Sequence, residues 1–485
     1  MPAARRVWIV VLVWSLLLSW ASAPLLACYA VVVGRAASAD GSVLVGHNEE
    51  NGGRRVLHFH KIPRRQHPPG ARVDLQFGGQ LDEAPETWAF LWSENPGLAY
   101  SDGYLNEWGV AIASDGCRSR EDGYDALVAR GEIRDGGIGY MLRRLVAQRA
   151  KTAREGMELI GQLVECFGYA DSGRTYVVAD PREAWLVAVV RGRRWVAQRV
   201  PDDKVAILPN VYIIGEVDLD DTANFCASPD LVSYAAARGW FDPERERFSF
   251  RKAYQKPERL APDRRQFRGQ EMASGGTWTW PPAEALPFAV TAHKKLAVAD
   301  VAAILRNREG IVPLFGRATQ EAAVFQLRDR LPAEIGCIYW RTACRPDISP
   351  LTPWYVGITS TPEAYGPPVE PGTLLSLEHH FHPPAGTFDS DLRLAWWKFK
   401  ALADLVDKDY EARIGPVRTA WAAFEARCLE KQESAEAEAL RRWQQAPDAA
   451  RAMLTRYCSD LAAEACGAAD RLREAIAPPA KSRIH

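Results

Sequence analysis

Neither sign of charge dominates this sequence. Its 485 residues carry 60 Lys and Arg against 61 Asp and Glu, a formal net charge of −1. A chain without a basic surplus has no global pull towards nucleic acid or an anionic membrane. Several chemistry-bearing patterns are also missing. There is no G-x-S-x-G, no H-E-x-x-H, no C-x-x-C and no Walker-type loop, so the sequence gives no local sign of a serine triad, a zincin centre, a dithiol pair or a phosphate cradle. Long apolar runs are scarce too. Only Val7–Trp20 is mostly apolar over any length, and it is shorter than the roughly 20 residues a membrane span needs.

What is present is ordinary globular composition, 47% hydrophobic and 25% charged, with 17 Trp and nine Cys. An odd cysteine count leaves at least one thiol unpaired. Arg5 and Arg6 precede the apolar run, and Ala21-Ser22-Ala23-Pro24 and Leu25-Leu26-Ala27 close it. This pattern predicts a leader over residues 1–27 and export to a periplasmic or extracellular space. Pro24 disfavours cleavage after Ala23. Cleavage after Ala27 makes Cys28 the first residue. Leu25-Leu26-Ala27-Cys28 also fits a lipobox, in which Cys28 carries only a lipid anchor, and a membrane enters as a partner only in that case. A lipoprotein tether is polar and flexible. Here Tyr29–Val33 is apolar and β-branched, a turn follows, and Ser42–Gly46 reads as a returning strand. A cysteine at the end of a buried hairpin is held rigidly, as a nucleophile must be. An N-terminal cysteine also brings its own base, an α-amine with an ordinary pKa of about 7.7–8.0.

CYAVVVGRAASADGSVLVGHNEEN, from Cys28 to Asn51, resembles the start of the C69 dipeptidases, N-terminal nucleophile hydrolases related to penicillin V acylases and choloylglycine hydrolases. Similar blocks follow in order: Tyr104–Ala113, Ala150–Glu155, Ala179–Trp185, Leu208–Asn210 with Gly215–Asp221, Ala227–Ser233 and Pro353–Ile358. The resemblance implies an α+β fold, a four-layer αββα sandwich with a helical C-terminal region. It divides the chain into a leader (1–27), a catalytic domain (28–389), a C-terminal helical region (390–477) and a tail (478–485). It implies Cys28 as nucleophile, Asn210 as carbonyl and oxyanion partner, Glu50 in place of the aspartate that holds the α-amine, and His47 in place of an arginine beside the cysteine. Asn48 and Asp115 are the expected substrate-binding residues, with backbone N–H groups near Ser114–Gly116 completing the oxyanion site. Neither metal nor cofactor is expected. The substrate is expected to be a dipeptide or short peptide, with a small N-acyl amide as the alternative. A non-catalytic lipoprotein is the third reading, and a homo-oligomer is left open.

The remaining features read more plainly. Asp242–Ala285 reads as loop or insertion. Ser390–Ala477 reads as helix, broken at Gly415-Pro416 and Pro447. The basic stretch from Arg54 to His67 reads as a solvated loop or a carboxylate grip. His379, His380 and His382 read as loop or surface residues, and Asp218, Asp220 and Asp221 as an acidic surface loop. Cys337 and Cys344 are placed to pair if the compartment is oxidising. Cys117, Cys166 and Cys226 read as apolar packing.

Overall fold

The computed structural model describes residues 28–477. The expected leader, its cleavage junction and the tail lie outside the described residues. Two antiparallel sheets form the centre. The first is seven-stranded, in the order Ala289–Thr291, Lys204–Leu208, β1 (Tyr29–Val33), β2 (Val43–Glu50), Thr319–Leu327, Cys337–Arg341 and Thr352–Tyr355. The second is eight-stranded, in the order Phe225–Ala227, Trp195–Arg199, Ala184–Gly192, Tyr169–Ala179, Ala111–Gly116, Gly103–Asn106, Phe90–Glu94 and β3 (His58–Ile62). β1 is apolar on both faces and wholly buried, as a central strand covered on both sides should be.

Helices 264–274 and 298–305 cover the outer face of the first sheet, and helices 141–149 and 153–167 that of the second. The four layers are therefore α, β, β and α. One apolar core fills the space between the sheets and another lies under helices 141–149 and 153–167. Leu142, Leu145 and Val146 point inward as their spacing predicts. Thr152 caps the next helix, its hydroxyl accepting from the Glu155 N–H at 3.1 Å.

The C-terminal helices 410–445 and 447–475 pack against Thr352–Tyr355. The expected break at Pro447 is present, with the proline in the first turn of its helix. The break expected at Gly415-Pro416 is not, because helix 410–445 runs through Pro416. Pro416 lies in the second turn and forfeits only the bond to Ala412. Burial of Ile414, Val417, Trp421 and Phe424 on the same helix offsets that loss.

Three other readings are corrected. Asp242–Ala285 is not all loop: Asp263 caps helix 264–274 through the N–H groups of Arg265 and Gln266. All nine cysteines are free, Cys337 and Cys344 included, and Cys166 is exposed. The Arg54–His67 stretch is not a solvated loop throughout, since His58 and His60 are buried in β3. Among the described residues no helix is long and apolar enough to cross a membrane.

Candidate active site

Cys28 precedes β1 and is 7% exposed. The hairpin register pairs Tyr29 with Asn48 and Ala30 with His47, which brings the cysteine opposite Glu49. Its thiol donates to Glu49 Oε1 at 3.2 Å and lies 3.8 Å from the Glu50 carbonyl oxygen. Side chains alternate along a strand, so the polar run His47-Asn48-Glu49-Glu50 divides between two faces. His47 and Glu49 face the second sheet. There His47 Nε2 lies 3.8 Å from Asp115 Oδ2.

Asn48 and Glu50 face the helical layer, and the expectation that Asn48 meets substrate is corrected. Asn48 Nδ2 donates to the carbonyls of Leu305 (2.9 Å) and Leu314 (3.1 Å), so it ties β2 to its covering helix instead of meeting substrate. The Glu50 carboxylate accepts from Thr319 Oγ1 and from the Gly316 N–H. The carboxylate at the thiol is that of Glu49, which also accepts from Asn51 Nδ2 at 2.9 Å.

Asn210 follows the Lys204–Leu208 strand, whose Leu208 pairs with Ala30. Its Nδ2 donates to the Gly116 carbonyl at 3.0 Å, which leaves the second hydrogen of the amide for another acceptor. Its Oδ1 accepts from Arg265 Nη2 at 2.7 Å, while Arg265 Nη1 donates to the Cys28 carbonyl at 3.2 Å. One guanidinium thus fixes both the nucleophile's backbone and the amide. Helix 264–274 comes close enough to do this because position 269 is glycine. A Cβ there would stand 1.8 Å from the Tyr29 hydroxyl.

Cys28, His47, Asp115 and Asn210 therefore converge as the sequence suggests. Glu49 and Arg265 were missed. Glu49 was legible from strand alternation. Arg265 left a signal in the Asp263 cap and the Gly275 that ends its helix, but its 237-residue separation from Cys28 hides the contact.

The electrostatics are set by burial. Desolvation, then the carboxylates of Glu49 and Asp115, push the Cys28 thiol well up. Desolvation, then Glu49, push Asp115 well up, and neither Asp115 oxygen has a hydrogen-bond partner. Desolvation pushes Glu49 up to about 7, opposed chiefly by Arg143. Desolvation, then Arg143, push His47 down to about 3, against a hydrogen bond to the Ser114 backbone. His47 is thus neutral across ordinary pH and does not supply the charge of the arginine it stands for. A buried thiol with two carboxylates and a neutral imidazole has no thiolate–imidazolium pair. Deprotonating that thiol takes a base from elsewhere. Cys28, His47 and Asp115 also place a sulfur, a nitrogen and an oxygen within 4.8 Å of one another, a donor set that fits a zinc-type ion.

Comparison with known proteins identifies the family. The model of Peptidase family C69 matches residues 27–310. A probable dipeptidase of Salmonella dublin is 28% identical over 372 residues, covering 69% of this chain and 82% of that protein. A probable dipeptidase of Latilactobacillus sakei is 26% identical over 422 residues, covering 80% and 82%. Among solved structures, a mutant conjugated bile acid hydrolase from Clostridium perfringens aligns at a TM-score of 0.32 and 12% identity, over 65% of this chain and 88% of that one. The family match spans more than half of the chain, from the residue before Cys28 past Arg265, and the chain belongs to peptidase family C69.

Proposed function

We propose that this peptidase is a cysteine-type N-terminal nucleophile hydrolase of dipeptides or short peptides, exported, and active once residues 1–27 are removed. The observation that carries the proposal is the Cys28 thiol at the head of a buried strand, set against Glu49 and Asp115 with only a neutral imidazole nearby. In the unprocessed chain the Cys28 nitrogen is an amide and the thiol is held protonated. Removal of the leader turns that nitrogen into an amine beside two carboxylates.

The α-amine takes the thiol proton as Sγ bonds to the scissile carbonyl carbon. The carbonyl oxygen becomes an oxyanion and accepts from the free N–H of Asn210. The α-ammonium protonates the departing nitrogen, the C–N bond breaks, and a thioester on Cys28 remains. Water then gives its proton to the amine and adds to the thioester, and collapse releases the acid and restores the thiol. Arg265 positions Asn210 and the Cys28 carbonyl throughout. Glu49 and Asp115 hold the amine against the thiol.

The substrate class rests on the relatives, which are named probable dipeptidases. A lipid anchor through Cys28 fits poorly, because a thioether-linked diacylglyceryl group would have to start from a sulfur buried between the sheets. The test is a panel of dipeptides, penicillin V and conjugated bile acids, run on the processed chain and on Cys28→Ala. Dipeptide cleavage lost in Cys28→Ala is the expected result. Cleavage of only the acylated amides would replace the substrate class. Full activity in Cys28→Ala would overturn the mechanism.

A further inference from the structure

A second cluster of ligating side chains lies on the far edge of the second sheet. His58 and His60 share one face of β3, and His58 pairs directly with Glu94 on the neighbouring strand. All three are nearly buried, at 6%, 6% and 1% exposure. His60 Nε2 lies 2.8 Å and His58 Nδ1 3.8 Å from the same oxygen, Glu94 Oε2. The three donor atoms fall within 4.8 Å of one another. Ligands in a tetrahedral zinc site sit about 2.0–2.2 Å from the ion, hence about 3.3 Å apart. Small side-chain shifts bring these three atoms to that spacing.

The surroundings are those of a metal site's outer layer. Glu94 Oε1 lies 3.1 Å from His380 Nδ1, and His380 Nε2 lies 2.9 Å from the Leu98 carbonyl. A carbonyl only accepts, so Nε2 carries a proton. His380 so bridges Glu94 to the Leu98 carbonyl, as a group that orients a metal-ligating carboxylate does. Asp102 accepts from Trp92, Tyr104, Tyr140 and the Asn95 N–H. Arg144 donates to the Tyr140 hydroxyl and to the Leu375 carbonyl.

We infer that His58 Nδ1, His60 Nε2 and Glu94 Oε2 bind one divalent cation of the zinc class, with water as the fourth ligand and His380 orienting Glu94. Binding at Nε2 uses the neutral His60 ring with its proton on Nδ1. The ion's role is structural. His380 belongs to helix 377–381, and its carbonyl accepts from the Gly97 N–H at 2.6 Å. A Cβ on Gly366 would stand 2.9 Å from His60 Cε1, so the covering segment lies directly against the site. The ion fastens segment 366–381 to the sheet.

The test uses the untagged full chain carrying Cys28→Ala, which removes the sulfur of the other donor set. After metal stripping, Zn²⁺ is titrated against a chromophoric chelator. One tight equivalent is expected, lost in His60→Gln and in Glu94→Gln, and about 10–100-fold weaker in His380→Ala. Thermal stability should rise on adding Zn²⁺ to the Cys28→Ala chain and stay unchanged on adding it to His60→Gln. Absence of a bound equivalent would overturn the site, as would unchanged affinity in a folded His60→Gln chain. If that variant fails to fold, Co²⁺ in the Cys28→Ala chain decides. A tetrahedral spectrum without sulfur charge transfer is expected, and a sulfur band would refute the assignment.

Discussion

Glu49 and Glu50 are adjacent and chemically alike, yet one meets the thiol and the other braces Thr319 and Gly316. Glu49→Gln should therefore lower kcat/KM by about 10²-fold or more. Glu50→Gln should cost stability and leave the pH profile of the folded enzyme in place. His47 and Glu49 make the stability of the unprocessed chain depend on pH. His47 is held at about 3 against an ordinary 6.5. Between those values the unfolded chain takes up a proton that the folded chain refuses, so stability falls as pH drops from 6.5 towards 3. Glu49 is raised from 4.5 to about 7. Its share of stability is complete below 4.5 and is lost as pH rises through 7. Denaturation midpoints between pH 4 and 8 (about the accessible range) should show the acid-side loss reduced in His47→Gln and the neutral-side loss reduced in Glu49→Gln. Cys28, Asp115 and Asn210 were legible because each carries chemistry at the end of a recognisable strand. Asn48 was misread because a four-residue polar run gives no face until the hairpin register is fixed.

At the scale of elements, two supports of the site act from opposite sides. Asn48→Ala removes both side-chain bonds to helix 298–305 and its loop. Loss of about 1–3 kcal/mol is expected, leaving two buried carbonyls unsatisfied, with kcat of the folded fraction unchanged. Asp263→Ala uncaps helix 264–274 and should cost about 1 kcal/mol. Its effect on kcat should be larger than its effect on stability, because Arg265 is the second residue of that helix. The strands, the hairpin and the capped helix 153–167 could be read from periodicity and turn residues, which are local. The helix carrying Arg265 was read as loop because the stretch around it is charged and rich in Gly and Pro. His380 was read as a surface residue because nothing near it in sequence reveals Glu94.

For the molecule as a whole, the C-terminal helices complete the first sheet's surroundings. Arg328, next to the Thr319–Leu327 strand, makes a paired contact with Glu436 at 2.8 and 2.6 Å, and both residues are buried. Glu436→Ala strands a buried guanidinium and should cost about 3–5 kcal/mol, whereas replacing both partners with apolar residues should restore much of that. A chain ending at residue 389 should aggregate, since it exposes the apolar surface that helices 395–406, 410–445 and 447–475 cover. The central claim is that Cys28, freed at its nitrogen, is the nucleophile. Intact mass spectrometry of the enzyme quenched during turnover of a slow amide tests it most directly. The account predicts a chain beginning at Cys28 and carrying the acyl group on that residue. An acyl adduct elsewhere, or an active chain that still carries residues 1–27, would contradict it.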